Sequence, residues 1–380
     1  MRKFFGVLLT ALLAFGFISC ESKNESEILD IVSQFTIVSP YDGIEWYNFG
    51  QYKAALHTHT TRSDGRNTLT EMIEEHYRQG FDILAITDHN EINRDWTSGA
   101  NALTADRYAE ITAGVGRDGR ELIRIPLTNE QSMSEHMNSF FTDFNNVSGS
   151  GFSGLVNTIK MIEQLGGISH INHPGRYTGG MRPDLLGYAA SNNQEIVQRY
   201  VDLFMEFPFV VGMEIINKTD VESRTDRILW DNILRQTMPH NRFVWGFSND
   251  DSHSTEAIGL SYNVFVMPEN TAENVRYAME NGRFYAVARV AKAELGETFI
   301  GNEPTPIIRN IVVNDVEASI TISTEHADRI DWIYDGNVIT QGNTIKLENH
   351  VHDIGSYYIR ANIIGPGGIS FTQPFSITRN

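Results

Sequence analysis

From about residue 50 to residue 290, the chain alternates between apolar residues at helical spacing and short continuous apolar runs. In the first unit, Thr68 and Glu71 can form a capping box, and apolar residues then recur at helical spacing as far as Gly80. The run FDILAIT follows, and a continuous apolar run of this length is typical of a buried parallel strand. This unit therefore predicts a helix followed by a buried strand.

Further units repeat this order. The predicted helices lie near residues 153–165, 193–205, 225–236 and 271–281, and they lead to the runs GISHI, VVGMEII, FVWGFS and RFYAVA. Repeated units of this kind predict either a parallel barrel or an open parallel sheet. Polar residues directly after the strands favour the barrel, because barrel active sites lie at that end of the strands.

The pattern changes near residue 305 to short alternating segments without a long helix: IIRNIVV, ASITIST, RIDWIYDG, TIKLEN, SYYIRANII and ISFTQPFSI. These segments predict a small β-sandwich over residues 305–380, after an α/β domain over residues 50–300. The stretch DIGSYYIRA resembles the tyrosine-corner strand of immunoglobulin-like domains, with Ile359 where a disulfide cysteine could stand. Trp332 is the candidate core tryptophan. The expected fold class is therefore α/β, a barrel followed by an immunoglobulin-like sandwich.

The N-terminus has the pattern of an export signal. Arg2 and Lys3 precede an apolar run over residues 4–17, which is too short to span a bilayer and matches a signal-peptide core. The run ends at Phe-Ile-Ser-Cys, which resembles a bacterial lipobox, although leucine is more usual than Phe17. We expect residues 1–20 to be a lipoprotein signal peptide with Cys20 acylated, and residues 21–49 to be a linker and entry segment. The alternative is a plain secretory peptide.

Either interpretation predicts an exported protein, and lipidation would anchor it to a bacterial membrane on the periplasmic or cell-surface face.

The composition limits the possible cross-links and partners of the mature protein in two ways. Cys20 is the only cysteine in the 380 residues, so the mature chain has neither disulfides nor thiolate metal sites. The formal net charge of −18 argues against long nucleic acids as partners, because their binding requires basic surfaces. A small phosphoester remains open.

Candidate metal ligands begin in LHTHTTRSDG. His57 and His59 share one face of an extended strand, so they can approach one ion together. The alternative is an ordinary polar strand end followed by a turn. After the run FDILAIT come Asp88 and His89, of which only one should face the barrel mouth while the other supports it.

A third candidate group is Glu130, at the end of ELIRIPLTNE, with His136 six residues later. A glutamate at such a strand end can bridge two ions through its two oxygens. An ordinary solvated surface carboxylate is the alternative.

Two more strand ends carry histidines. GISHINHPGRY contains His170, which we expect to be a core residue, and His173, which the following proline should keep extended. FVWGFSNDDSH contains Asp251 and His253 at i, i+2 spacing, with Asp250 as a competitor for the carboxylate role.

In order, HTHTTRSDG, ITDHN, the Glu130 and His136 pair, HPGR and DDSH resemble the motifs of the PHP (polymerase and histidinol phosphatase) superfamily over about residues 50–290. The resemblance implies a distorted seven-stranded (β/α) barrel that holds two or three divalent ions, Mn, Zn or Fe, at its mouth. It implies a first ion on His57, His59, Glu130 and Asp251, a second on Asp64, His89 and His253, and a third on His136, His173 and the bridging Glu130.

The resemblance further implies a metal-dependent phosphoesterase, in which a metal-bridged hydroxide attacks a phosphomonoester or a small phosphodiester. Arg176 is the first candidate to bind the phosphate of this small substrate, followed by Arg62 and Arg94. Two alternatives stay open. The same chemistry could cleave an amide or lactone, or the protein could be a surface binding lipoprotein whose metals are structural and whose β-sandwich captures a glycan or protein.

Overall fold

The computed structural model describes residues 34–145, 149–182 and 184–380. The signal-peptide and lipobox predictions, including Cys20, fall outside these residues. None of the helices within the described ranges is both long and apolar enough to cross a membrane.

The helices are short, and most of them coincide with the predicted amphipathic segments. Their bounds are α1 Leu69–Arg78, α2 Ala105–Thr112, α3 Gly151–Gln164, α4 Gly175–Thr178, α5 Leu185–Ser191, α6 Gln194–Glu206, α7 Asp226–Thr237, α8 Ala272–Asn281 and α9 Lys292–Leu295. Helix α1 begins as predicted. The side chain of Thr68 accepts from the Glu71 backbone N–H, and the Glu71 carboxylate accepts from the Thr68 backbone N–H.

The strands of the α/β region are β1 Phe35–Val38, β2 Gly50–Ala55, β3 Ile83–Leu84, β4 Ile123–Arg124, β5 Asn129–Gln131, β6 Met137–Phe140, β7 Ile168–Ile171, β8 Val210–Asn217, β9 Trp245–Asn249, β10 Ser261–Met267 and β11 Phe284–Ala288. The remaining strands are β12 Ile307–Asn314, β13 Ser319–Glu325, β14 Arg329–Tyr334, β15 Asn337–Gln341, β16 Thr344–Lys346, β17 Gly355–Gly365, β18 Gly368–Phe371 and β19 Phe375–Arg379. The run FDILAIT forms a ladder only over β3, whereas the other predicted runs coincide with β7, β8, β9 and β11.

The parallel strands lie in two sheets that meet at the site. Strands β2, β3 and β4 are parallel neighbours in one sheet, and β7, β8 and β9 are parallel neighbours in the other. Two isolated parallel bridges join the sheets, one between His89 and Glu130 of β5 and one between Thr58 and Ser252. The chain is thus a mixed α/β protein, and these bridges bring the motif residues of both sheets together.

Most of the C-terminal strands continue the first sheet, namely β14, β15, β17, β18 and β19. Strand β18 pairs with β11, with Ala286 opposite Phe371, so the sheet runs from β1, β19, β17 and β18 through β11 and β10 to β2. Residues 35–38, expected to belong to a linker, form β1 and pair with β19. Main-chain hydrogen bonds between β11 and β18 therefore cross the boundary predicted near residue 305, so this one sheet extends over both predicted regions.

Strands β12, β13 and β16 form a further three-stranded sheet, so β structure is extensive in this region. Trp332 is fully buried, and the Tyr357 hydroxyl donates to the Asp353 carbonyl at 3.0 Å, as in a tyrosine corner. The immunoglobulin-like topology itself stays a prediction.

Helix α7 contacts strand β17 through a buried ion pair. The Asp231 carboxylate accepts from Nε and Nη2 of Arg360 at 2.8 and 2.7 Å and from the Tyr358 hydroxyl at 2.9 Å. All three side chains are buried. This contact ties the helical layer to the C-terminal strands.

Candidate metal centre

The segment after β2 places two histidine rings side by side at the centre of the site. The ring centroids of His57 and His59 lie 5.1 Å apart, and both side chains are buried. The Nε2 atoms lie 3.4 Å and 3.1 Å, respectively, from Oδ1 of Asp251, which follows β9. The two residues thus share a face of the extended chain and converge on one carboxylate.

Glu130 in β5 is the hub of the site. Its carboxylate oxygens lie close to one ring nitrogen of each of five histidines: His57 at 3.3 Å, His59 at 3.6 Å, His89 at 2.7 Å, His136 at 3.0 Å and His173 at 3.5 Å. The Glu130 side chain is 1% exposed. A carboxylate enclosed in this way can use its two oxygens toward two different ions.

Asp64 belongs to the rim of the site. Its side chain is 55% exposed, and its oxygens lie 3.3 Å from Nε2 of His253 and 3.5 Å from Nε2 of His89. The rings of His59 and His253 stack with their centroids 4.2 Å apart. The turn after His59 therefore returns Asp64 to the same cluster from the solvent side.

The donor atoms form three overlapping groups within 4.8 Å: His59, Asp64, His89 and His253; His57, His59 and Glu130; and His89, Glu130 and His136. The grouping differs in part from the one that the resemblance implied. His59 also belongs to the rim group, and His89 also lies with Glu130 and His136. His173 and Asp251 belong to none of these three groups. They border them, with Nε2 of His173 3.5 Å from Oε1 of Glu130 and Oδ1 of Asp251 3.1 Å from Nε2 of His59.

Several buried polar atoms in the cluster have no hydrogen-bond partner within the described parts of the chain: Nε2 of His57 and His59, Nδ1 of His89, Oε2 of Glu130 and Oδ1 of Asp251. Nδ1 of His89 and Oε2 of Glu130 are 2.7 Å apart, yet their orientation does not make a hydrogen bond. Buried polar atoms without partners are costly. Imidazole nitrogens and carboxylate oxygens are ligands that suit divalent ions, so the donor set fits such ions.

The electrostatics of the cluster favour ionised carboxylates. Burial raises the pKa of Glu130, but the facing His57 and His136 outweigh it and hold the pKa well below its usual range. Burial likewise raises the pKa of Asp251, and His57 and His59 lower it further than burial raises it. For His57, burial lowers the pKa, and the nearby carboxylates, first that of Asp251, raise it well above its usual range. The centre therefore keeps buried negative charge that cations can neutralise.

Glu214 in β8 is a supporting residue that the sequence patterns did not reveal. Its Oε1 lies 2.8 Å from Nδ1 of His57, and its Oε2 accepts from the His173 backbone N–H at 2.8 Å. The side-chain amides of Asn249 and Asn217 also donate to it, at 2.8 and 2.9 Å. Glu214 orients His57 so that Nε2 faces the other donors. The sequence feature that could have revealed Glu214 is its position as the single charged residue in the apolar run VVGMEII.

Asp88 and Asn172 support the centre from outside. Asp88 accepts from the Thr60 backbone N–H and hydroxyl, both at 2.7 Å, and from the Ser63 hydroxyl at 2.6 Å. It thereby holds the turn between His59 and Asp64, while its neighbour His89 faces the site. The Asn172 amide donates to Oε1 of Glu130 at 2.7 Å.

The backbone of His173 differs from the expectation. We expected Pro174 to keep it extended, which is wrong, because its φ is 27°. The His173 N–H donates to Glu214, and its carbonyl accepts from the Arg176 N–H at 3.0 Å, so the chain turns directly into α4. Pro174 disfavours the right-handed helical region for the preceding residue, and a positive φ avoids that region.

Asp250 and His170, the two remaining candidates, have roles in the packing of the fold and not in the metal centre. Asp250 accepts from the backbone N–H groups of residues 259–261 at 2.6–2.9 Å, and burial raises its pKa to about 7. It anchors a loop, which leaves the carboxylate position beside the histidines to Asp251. His170 packs between Phe247 and Phe140, and burial lowers its pKa to about 4. It is a core residue, as expected.

The three arginines predicted to bind phosphate differ in their side-chain contacts. Arg176 is exposed at the start of α4. Arg62 donates to the Ser98 carbonyl at 3.1 Å, and Arg94 pairs with Asp143. Of the three, only Arg176, three residues after the proposed ligand His173, has an exposed side chain without a hydrogen bond or ion pair of this kind in the described ranges. Binding of phosphate by any of the three stays a prediction.

Part of the chain that contains the metal centre is similar to known proteins. Residues 55–172 match the family model of the PHP domain. A segment of 69 residues, 18% of this chain, is 42% identical to the DNA polymerase/3'-5' exonuclease PolX of Bacillus subtilis (strain 168). This segment spans only 11% of the PolX chain, so the similarity concerns one part of a larger protein.

Three solved structures resemble the chain at low identity. A two-domain protein from Bacteroides vulgatus, described as containing a PHP-like metal-dependent phosphoesterase, is 16% identical, with 87% of this chain and 96% of that chain covered and a TM-score of 0.45. An amidohydrolase from Chromobacterium violaceum is 15% identical, with coverages of 60% and 96% and a TM-score of 0.33. The lesion-specific endonuclease PfuEndoQ from Pyrococcus furiosus is 13% identical, with coverages of 61% and 56% and a TM-score of 0.33. At these TM-scores the similarities assign no activity to this chain.

Proposed function

Because residues 55–172 are a PHP domain, we propose that the chain is a metal-dependent phosphoesterase that hydrolyses a phosphomonoester or a small phosphodiester. The observation that carries the proposal is the position of Glu130, a buried carboxylate surrounded by five histidines in a cluster with unpartnered donor atoms. A site whose only task was stability would not gather so many unsatisfied polar atoms.

The proposed ligands are His57, His59, Asp64, His89, Glu130, His136, His173, Asp251 and His253, for two or three Mn, Zn or Fe ions. Such ions, when bound, activate water and neutralise charge on phosphoryl oxygens. The protein contributes the orientation of the ligands. Glu214 fixes the ring of His57, Asp88 fixes the turn before Asp64, and Asn172 fixes one oxygen of Glu130.

Arg176 is the proposed contact for the phosphate of a small phosphorylated substrate, because a guanidinium binds phosphate in a two-pronged fork. We further propose that the strands around the centre form a distorted (β/α)7 barrel and that the C-terminal strands are immunoglobulin-like. Export and lipid anchoring through Cys20 is a proposal from sequence alone. Membrane fractionation of wild-type protein and a Cys20→Ser variant tests it, since the variant should leave the membrane fraction.

The test of function is metal analysis followed by hydrolysis assays. Protein loaded with Mn, Zn or Fe is assayed on phosphomonoesters, phosphodiesters, amides and lactones. We expect hydrolysis of at least one phosphoester class, and its loss in Glu130→Gln. The matched control is Glu206→Gln, an exposed glutamate on α6. Fully loaded protein that cleaves only amides or lactones, or nothing, would contradict the proposal.

A further inference from the structure

A cavity of about 330 Å³ opens beside the metal centre on the side of His253. Asp251 and His253 form the wall that it shares with the centre, and Lys218 and Arg66 add two cationic side chains. The motif residues did not predict a role for either cation. A cavity of this volume is at the lower end of the range of pockets that bind small molecules.

Lys218 directly follows β8 and reaches the centre. Its Nζ lies 3.1 Å from Oδ2 of Asp251, whereas Oδ1 of the same carboxylate faces His59 at 3.1 Å. The Lys218 N–H donates to the Asn249 carbonyl, and its carbonyl accepts from the Ser261 hydroxyl at 3.3 Å. The backbone of Lys218 is therefore held on both sides, and its side chain, 35% exposed, borders both the cavity and the centre.

The conformation at Lys218 is unusual for a residue with a long side chain. Its φ is 50°, in the left-handed region that favours glycine and asparagine. A residue kept in a costly conformation at a site is a reason to look for a role of its side chain. At this position the lysine places a positive charge next to the proposed ligands.

Arg66 is attached to the segment that carries His253. Its backbone N–H donates to the His253 carbonyl at 2.7 Å, and the next residue, Asn67, accepts from the Thr255 N–H at 3.1 Å. These bonds join the turn before α1 to the segment after β9. The Arg66 side chain is exposed, so its guanidinium is available to a solute in the cavity.

The rest of the lining is mixed. Ala257 and Leu260 are apolar, Thr219 and Ser254 carry hydroxyls, and the Asp250 carboxylate already accepts from the backbone N–H groups of residues 259–261. The formal net charge of −18 repels anions, so an anionic substrate needs local cations to enter. The cavity therefore suits a small organic anion with an apolar body.

We propose that Lys218 and Arg66 form a cationic subsite for a second anionic group of the substrate, so that the preferred substrates are small phosphoesters that also carry a carboxylate or a further phosphate. The inference rests on the proposed phosphoesterase function for the assignment of the first group to the metals. In this proposal, Lys218 and Arg66 determine which phosphoesters the protein prefers.

The experiment compares phenyl phosphate with its 2-, 3- and 4-carboxyphenyl analogues and with phenyl esters that carry a second phosphate. Wild-type protein, loaded with Mn, should prefer at least one ester with a second anionic group by about tenfold in kcat/KM, the effect of one charged hydrogen bond. Comparison of the two families of esters decides between carboxylate and phosphate. Arg66→Gln and Lys218→Met should abolish the preference, mainly through KM, while Lys218→Arg should retain most of it.

The controls are Arg78→Gln and Lys160→Met, which remove exposed cations on α1 and α3. Both should keep the wild-type preference. A wild-type protein without any preference would overturn the subsite. So would an Arg66→Gln variant that keeps the preference, or a Lys218→Met variant that loses metal and all esters equally, since the lysine would then only support Asp251.

Failure of the proposed function is distinguishable from failure of the subsite. If no ester is hydrolysed, calorimetric titration of the same compounds into Mn-loaded protein measures binding. A tighter affinity for the esters with two anionic groups, lost in Arg66→Gln, supports the subsite without turnover. Equal affinities for all of them would reject it.

Discussion

Nδ1 of His57 lies 2.8 Å from Oε1 of Glu214, and both side chains are fully buried. This contact leaves only Nε2 of His57 to face Glu130 and Asp251. It therefore sets the ring orientation on which the rest of the proposed centre depends.

Glu214→Gln should weaken the centre without removing a proposed ligand. The amide keeps the shape of the carboxylate but loses the charge that holds the Nδ1 proton of His57. We expect a loss of about 10- to 100-fold in metal affinity or kcat/KM. Competition with a chelator, followed by metal analysis, measures the affinity, and the exposed Glu206→Gln is the control. An unchanged affinity would show that the contact is not required.

Removal of metal should lower the stability of the folded protein. The proposed ligands converge only in the folded chain, so ions bind the native state in preference to the unfolded state. At a free ion concentration of 100 times Kd, the free energy of unfolding should rise by about 2.7 kcal/mol. Urea denaturation with Mn and with a chelator measures the difference. Glu130→Gln should reduce it sharply, whereas an equal difference in this variant would contradict the role of Glu130 as hub.

The buried pair of Asp231 and Arg360 should contribute strongly to the stability of the described region. Asp231→Asn leaves the Arg360 charge buried without its partner, and the expected loss is about 3–5 kcal/mol. A matched control is Asp335→Asn, which breaks the exposed ion pair between Asp335 and Arg235 on the same helix. The expected loss in the free energy of unfolding is less than about 1 kcal/mol.

Denaturation monitored by tryptophan fluorescence and circular dichroism should give one transition for wild-type protein, since the sheet crosses from β11 to β18. Equal losses in the two variants would show that burial of the Asp231 pair has no special effect.

His76 should make the protein less stable in acid. Burial lowers its pKa to about 4, although its hydrogen bond to the Met72 carbonyl acts in the other direction. The unfolded chain binds the proton near pH 6.5, so the folded state loses stability as the pH falls from about 6.5 to about 4. By pH 5 the loss from this group is about 2 kcal/mol.

The measurement is the free energy of unfolding at pH 7.5 and pH 5 in the presence of a chelator, so that metal release does not contribute. His76→Leu should lose about 2 kcal/mol less than wild-type protein over this interval. His240→Gln, which replaces an exposed histidine, should behave like wild-type protein. The idea fails if both variants share the wild-type pH dependence.

The local patterns of the sequence determined the elements and the candidate ligands. Helical spacing after Thr68 and continuous apolar runs depend on near neighbours in the chain, and α1 and β8 accordingly lie where these patterns predicted them. The spacing of His57 and His59 is of the same kind, because side chains alternate along an extended strand.

The tertiary structure decided what depends on distant residues. Glu214 and Lys218 gain their positions beside the centre from the folding of β8 against the strands before and after it, which no local pattern encodes. The His173 backbone N–H donates to Glu214, 41 positions away, a contact that the local pattern around HPGR does not encode. The continuation of the sheet across residue 305 likewise follows from the pairing of β11 with β18, because main-chain hydrogen bonds carry little side-chain signature.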